Sequence, residues 1–132
     1  MENILTSLII IQKIAHRGLH NRKSAPENSR QAFENAILSN FAIELDVQMI
    51  SDGTLVVIHD YTLERTTTGQ GKVSELKKED LKSIKLKGTN ELLPTFDEVL
   101  KLVKGKVPLL IEVKNEGKVG ELEAKLYEKL KK

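Results

Sequence analysis

Four short apolar runs in this chain each end on, or carry, side chains that can do chemistry. Ile9 to Ala15 leads into His16-Arg17. Ile43 to Val47 carries Glu44 and Asp46, and Leu55 to Ile58 leads into His59-Asp60. Pro108 to Val113 carries Glu112 and is followed by Lys114. Between them lie stretches with apolar residues at helical spacing. Strands that alternate with helices specify a parallel α/β sheet, because a parallel pair needs a long crossover connection. In barrels and open α/β sheets the carboxyl ends of the strands are where sites form, and the polar residues here fall at those ends.

The element boundaries follow from local chemistry. Gly18 to Ala25 reads as a loop. Pro26-Glu27-Asn28 opens a helix capped by Asn28 or Ser29, with Ala32, Phe33, Ala36 and Ile37 as its buried face and Asn40 near its end. Ala42 to Ile50 is the second strand. Ser51-Asp52-Gly53-Thr54 predicts a tight hairpin returning through Leu55 to Ile58. A two-residue Asp52-Gly53 loop sets Asp46 opposite His59 and Glu44 opposite Tyr61. Period-two alternation puts Glu44 and Asp46 on one face of the strand, where two carboxylates repel unless a cation lies between them.

Residues 60–94 are polar and Thr- and Lys-rich, with a short helical patch at Lys78 to Ile84, and read as an excursion from the core. Thr95 and Glu98 form a capping box for a helix through Lys104 whose apolar face is Phe96, Val99, Leu100 and Val103. Pro108 to Val113 is the third strand, with Glu112 and Lys114 on one face. Gly117 or Gly120 precedes a last helix carrying Leu122, Leu126 and Leu130. The 132 residues are expected to form a single domain.

Composition narrows the function classes. A net charge of +2 and 4% aromatic residues give no basic stripe with interleaved rings, which argues against nucleic acid. With no cysteine there is neither a disulfide framework nor a thiolate metal site, as suits a cytoplasmic protein. Leu8 to Ile11 is too short an apolar run for an integral membrane segment and lacks the basic flank of a secretory signal. Glu112 inside an apolar strand is costly to bury unless it is paired or binds a metal. His20 reads as ordinary surface. Together, two imidazoles, an arginine, a lysine and three carboxylates suit metal-assisted cleavage of a phosphate ester.

The run Ala15-His16-Arg17-Gly18, Pro26-Glu27-Asn28-Ser29, Glu44-Leu45-Asp46-Val47, Asp52-Gly53, His59-Asp60 and Leu63-Arg65-Thr66-Thr67 closely resembles the glycerophosphodiester phosphodiesterases. Thr95 to Leu100 and Ile111-Glu112-Val113-Lys114 extend the match over roughly residues 11–115. The resemblance implies a TIM-type (β/α) barrel hydrolase that splits glycerophosphodiesters into glycerol 3-phosphate and an alcohol. It implies that His16 and His59 act as general acid and base, and that Glu44, Asp46 and Glu112 bind a divalent cation. Arg17 and Lys114 would hold the phosphate, and residues 60–94 would cap the site. Three carboxylates favour a hard ion, magnesium or calcium. Which histidine activates the nucleophile stays open, as does whether water or a glycerol hydroxyl attacks first.

A closed eight-stranded barrel typically takes about 250 residues. The chain supplies three barrel strands plus the hairpin, so the expected fold is a partial barrel, truncated after about the third strand. Unpaired edges and an uncovered apolar face predict self-association. Two functions follow: a phosphodiesterase, or an inactive fragment that retains only cation or phosphate binding.

Overall fold

The computed structural model describes residues 13–21 and 23–131, and its central element is the strand β2 (Ala42–Met49). Around it lie β1 (Ile14–His16), α1 (Arg30–Leu38), β3 (Leu55–Val57), α2 (Phe96–Val103), β4 (Leu109–Val113) and α3 (Glu121–Leu130). Short 3-10 helices span Val73–Glu75 and Lys78–Ser83. The expected order of elements is thus present. The part of the expected first strand from Ile9 to Gln12, like the apolar run Leu8 to Ile11, lies outside the described residues.

Every strand pairs with β2. Parallel β1 joins its first half, with His16 beside Glu44, and parallel β4 runs along its other edge, with Asp46 beside Glu112. Antiparallel β3 continues the β1 side, pairing Val47 with Val57 and Met49 with Leu55. Among the described residues, the far edges of β1 and β4 have no partner strand. Parallel strands with helical crossovers and open edges make up the partial (β/α) barrel expected from the sequence. Among the described residues, no helix is long and apolar enough to cross a membrane.

Alternation along β2 divides the molecule into two cores. Ile43, Leu45 and Val47 point outward and pack with Phe33 and Ala36 of α1, Phe96, Val99 and Val103 of α2, and Leu122 and Leu126 of α3. Ile50, Val56 and Ile58 face the other way and are covered by Leu63, Val73, Leu81, Ile84, Leu86 and Leu93 from the 60–94 segment. That excursion therefore has an apolar underside, which ties it to the tip of the hairpin. Phe33 is fully buried against the sheet. Phe33→Ala is expected to destabilise the chain by about 3–5 kcal/mol through lost burial and the cavity left behind, read as a lower urea midpoint.

The helices begin where their caps dictate. Ser29 Oγ accepts from Ala32 N at 3.0 Å, and Thr95 and Glu98 satisfy each other's backbone N–H groups in the expected box. Lys104, in the left-handed conformation, closes α2. In α3, Leu122 and Leu126 are buried while Leu130 is 49% exposed, so the apolar stripe is shorter than its spacing suggests.

The hairpin register differs from expectation by one residue. Ile50 N donates to Thr54 O at 2.9 Å and Gly53 N to Ile50 O at 3.0 Å, leaving Ser51, Asp52 and Gly53 as the loop. Gly53 adopts a positive φ of 90°. A turn followed by a left-handed glycine is the usual three-residue hairpin, and the extra residue shifts every pair. Asp46 O consequently accepts from Ile58 N at 3.1 Å, and His59 does not stand opposite Asp46. Nor does Tyr61 stand opposite Glu44, whose ladder partners are His16 and Leu110.

Candidate active site

β1 ends in a sharp bend. Arg17 has φ 57° and Gly18 φ 81°, and a Cβ on Gly18 would lie 2.8 Å from Ala32 Cβ. Only glycine permits this approach of the bend to α1. The left-handed conformation of Arg17 is uncommon for a bulky residue, and such strain collects at functional sites. Here it aims the Arg17 N–H at Glu44 Oε1, 3.2 Å away, and His16 Nε2 lies 3.8 Å from the same oxygen. The bend is held by Asn28 N, which donates to Arg17 O at 2.8 Å.

The three predicted cation ligands converge. Glu44, Asp46 and Glu112 each offer a carboxylate oxygen, and these atoms lie within 4.8 Å of one another. Strand alternation places Glu44 and Asp46 on one face, and the parallel register adds Glu112 beside Asp46. Asp46 is fully buried; its Oδ2 accepts from Asn28 Nδ2 at 3.0 Å. Its Oδ1 has no hydrogen-bond partner among the described residues. Burial, and then the neighbouring Asp46 charge, push the Glu44 carboxyl above the usual range. A buried acceptor without a donor, in a set of oxygen ligands that repel one another, fits a hard divalent cation.

His59 finds its carboxylate next door rather than across the hairpin: its Nδ1 lies 2.8 Å from Asp60 Oδ1. Arg65 then binds Asp60 through Nε and Nη2 at 2.8 and 3.0 Å, and Glu27 through Nη1 and Nη2, both at 2.9 Å. Glu27 Oε2 also accepts from Arg17 Nη1 at 3.1 Å. Gln48 Nε2 donates to the carbonyls of Ile58, His59 and Asp60, at 2.6 Å in the last case, and so pins the backbone that carries His59.

These ion pairs set an acid dependence. Burial alone would raise the Glu27 pKa, but the Arg65 hydrogen bonds and the charges of Arg17 and Arg65 hold it below its ordinary 4.5. The Arg65 bonds, opposed by burial and aided by His59, keep the Asp60 carboxyl well below the usual range. Depressed carboxylates contribute stability that is present above their unfolded values and lost as pH falls through the folded ones. The chain is therefore expected to lose stability as pH falls below about 4.5, and Glu27→Gln to flatten that dependence. Urea unfolding followed from neutral to acid pH measures it; an unchanged slope in the variant would count against the pairing.

Lys114 lies across β4 from this network. Its Nζ is 3.8 Å from Glu112 Oε1 and 5.7 Å from the centre of the Tyr61 ring, and its side chain is largely buried. A cleft of about 330 Å³ opens beside it, lined among others by Gln48, Ser51, Ser74, Asn115 and Leu122. The charged end of Lys114 thus has an aromatic wall on one side and a carboxylate on the other.

Of the predicted residues, Glu44, Asp46 and Glu112 form one cluster, with His16 and Arg17 against Glu44 and Lys114 against Glu112. His59 belongs to the Asp60–Arg65–Glu27 chain, which reaches the cluster through Arg17, whose Nε is 3.7 Å from Asp46 Oδ2. His20 is exposed. Of the two candidate caps, Ser29 takes that part, and Asn28, at φ 56°, orients Asp46 instead. Sequence reasoning also missed Glu27, Gln48, Asp60 and Arg65 as supporting residues. The signal for them was that Glu27, Asn28, Asp60 and Arg65 lie inside the motif runs, whereas Gln48 lies outside them.

Residues 16–132 match the model of the glycerophosphoryl diester phosphodiesterase family. A glycerophosphodiester phosphodiesterase of Caldanaerobacter subterraneus is 44% identical over 110 residues, covering 77% of this chain and 44% of the relative. One from Bacillus altitudinis is 41% identical over 106 residues, covering 75% of this chain and 42% of the relative. Among solved structures, an Oleispira antarctica phosphodiesterase in complex with the product sn-glycerol-3-phosphate superposes with a TM-score of 0.83. It is 32% identical, and the match covers 92% of this chain and 52% of that one. The chain spans about 44% of the length of the first curated relative.

Proposed function

Because the chain belongs to the glycerophosphoryl diester phosphodiesterase family, we propose that its carboxylate cluster serves hydrolysis of glycerophosphodiesters to glycerol 3-phosphate and an alcohol. The observation that carries this reading is the convergence of Glu44, buried Asp46 and Glu112 beside two cationic side chains and an imidazole. A neighbour of the same fold holds sn-glycerol-3-phosphate as product, which supports a small-molecule phosphodiester as substrate.

Glu44, Asp46 and Glu112 would hold the divalent cation, magnesium or calcium, which when bound draws charge from the phosphoryl oxygens. Arg17 and Lys114 offset the charge that remains on the phosphate. His16 and His59 take a proton from the attacking group and return one to the departing alkoxide, in an order the reading leaves open. Near neutral pH an imidazole can play either part, as base when neutral and as acid when protonated, which no other side chain does without a large shift. Asp60 accepts from His59 Nδ1 and so leaves Nε2 to exchange the proton. The Glu27 carboxylate keeps Arg17 turned toward Asp46. Residues 60–94 would cap the site within a single domain.

The test is release of glycerol 3-phosphate from glycerophosphocholine by the full chain, with and without a chelator. Cation-dependent turnover supports the reading. Among the described residues the far edge of β4 has no partner strand, which favours a second reading, in which the chain keeps the cation and phosphate sites but lacks turnover without further strands. Cation binding without turnover at high protein concentration would select it.

A further inference from the structure

We infer that Arg65 is a positioning residue that clamps two carboxylates from distant segments and, through Asp60, fixes the ring of His59. The inference rests on the reading of His59 as a proton-transfer group. Four of the five guanidinium N–H groups are engaged, two by Asp60 and two by Glu27. Nη2 alone lies 3.0 Å from Asp60 Oδ1 and 2.9 Å from Glu27 Oε2, so two like charges meet on one nitrogen. Without the guanidinium between them they would repel, and both would turn toward solvent.

The oxygen of Asp60 that shares Nη2 is the one that meets His59 Nδ1 at 2.8 Å. An ionised carboxylate only accepts, so Nδ1 carries a proton, and in the neutral ring Nε2 keeps its lone pair. Release of Asp60 frees the ring to adopt either tautomer and to rotate. The other arm of the clamp reaches Glu27, which holds Arg17, so one side chain of the 60–94 segment ties both ends of the site together. Arg65 is about half exposed, at 51%, so solvent screens its ion pairs and reduces what they add to stability. What a fork with four ordered bonds supplies at such a place is geometry.

The experiment uses the full chain as wild type, R65Q, R65K, D60N and the R65Q/D60N pair. Imidazole 15N spectra at about pH 9, above the ordinary histidine range, report the His59 tautomer without any need for turnover. The Nδ1–H form is expected in the wild type, a mixture in R65Q, and partial recovery in R65K, whose single ammonium cannot span both carboxylates. For glycerophosphocholine, kcat is expected to fall on the order of 10- to 100-fold in R65Q, with KM changed less than about threefold. In the D60N background the same substitution is expected to add nothing. An unchanged tautomer in R65Q, or an equal kcat loss in both backgrounds, would overturn the clamp. If the wild type shows no turnover, the phosphodiesterase reading fails while the tautomer spectra still decide the role of Arg65.

Discussion

Glu44→Ala is expected to abolish cation-dependent release of glycerol 3-phosphate, and His16→Ala to lower it on the order of 10²- to 10⁴-fold. Glu44 has two jobs in the site. It supplies one of three converging carboxylates, and its Oε1 receives the Arg17 N–H that ends β1. Alanine removes a charge from the proposed cation site and a tether from Arg17 at once. The cluster is also where the fold places carboxylates against their preference, since burial and Asp46 raise the Glu44 pKa. A bound cation would relieve such crowding, so on the proposed reading the requirement for magnesium or calcium should rise at least about tenfold in Glu44→Gln, which keeps the shape and drops the charge. Asp46→Ala is a poorer probe: its carboxylate is fully buried and bonded to Asn28, so its loss would disturb the core as well. Turnover against added cation, measured by coupled detection of glycerol 3-phosphate, reads both effects. Wild-type activity in Glu44→Ala would remove this cluster from the mechanism.

How far the site could be read in advance depends on the range of the forces that build it. Glu44 and Asp46 share a face because β-strands alternate, a property that needs no partner. Adding Glu112 required the parallel register of β4 on β2, which no local pattern states; the clue was the cost of a carboxylate in an apolar run. The hairpin shows the opposite case. Asp-Gly announced a turn, but the choice between two and three loop residues turned on where Gly53 sits within it, and that choice moved His59 away from Asp46. A one-residue error in register reverses the faces of a strand, so contacts inferred across a hairpin are only as good as its loop. The Arg65 clamp was out of reach altogether. Glu27 and Arg65 are 38 residues apart, and charged pairs on such loops carry no periodicity. The helices were legible because Ser29 and the Thr95–Glu98 box are local, and because Ala32, Phe33 and Ala36 in one helix, and Phe96, Val99 and Val103 in the other, recur at the spacing of a buried face.

The 132-residue chain is expected to run above monomer mass at micromolar concentration, and Leu110→Lys to return it toward monomer. Leu110 lies on the same face of the sheet as Glu112 and is 47% exposed; Ile14, on the same face of β1, is 56% exposed. The helix-covered outer face, by contrast, buries Ile43, Leu45 and Val47 completely. Burying a large aliphatic side chain is worth about 1.5–3 kcal/mol, and the far edge of β4 adds a row of backbone groups without a strand partner among the described residues. Apolar surface and an open ladder on one side of a sheet act together, because a second sheet that pairs at the edge also covers the face. A lysine at 110 opposes both, since its charge cannot be buried in that contact and blocks edge-to-edge association. It leaves β2, the carboxylates and the helices in place, so far-ultraviolet circular dichroism should be unchanged. Light scattering coupled to gel filtration measures the mass. A monomeric wild type with a single cooperative unfolding transition would show that the inner face is satisfied within one chain. If association is instead confirmed, activity that rises more steeply than protein concentration would mean that a second sheet completes the site, whereas activity in simple proportion would place the whole chemistry on the residues of one chain.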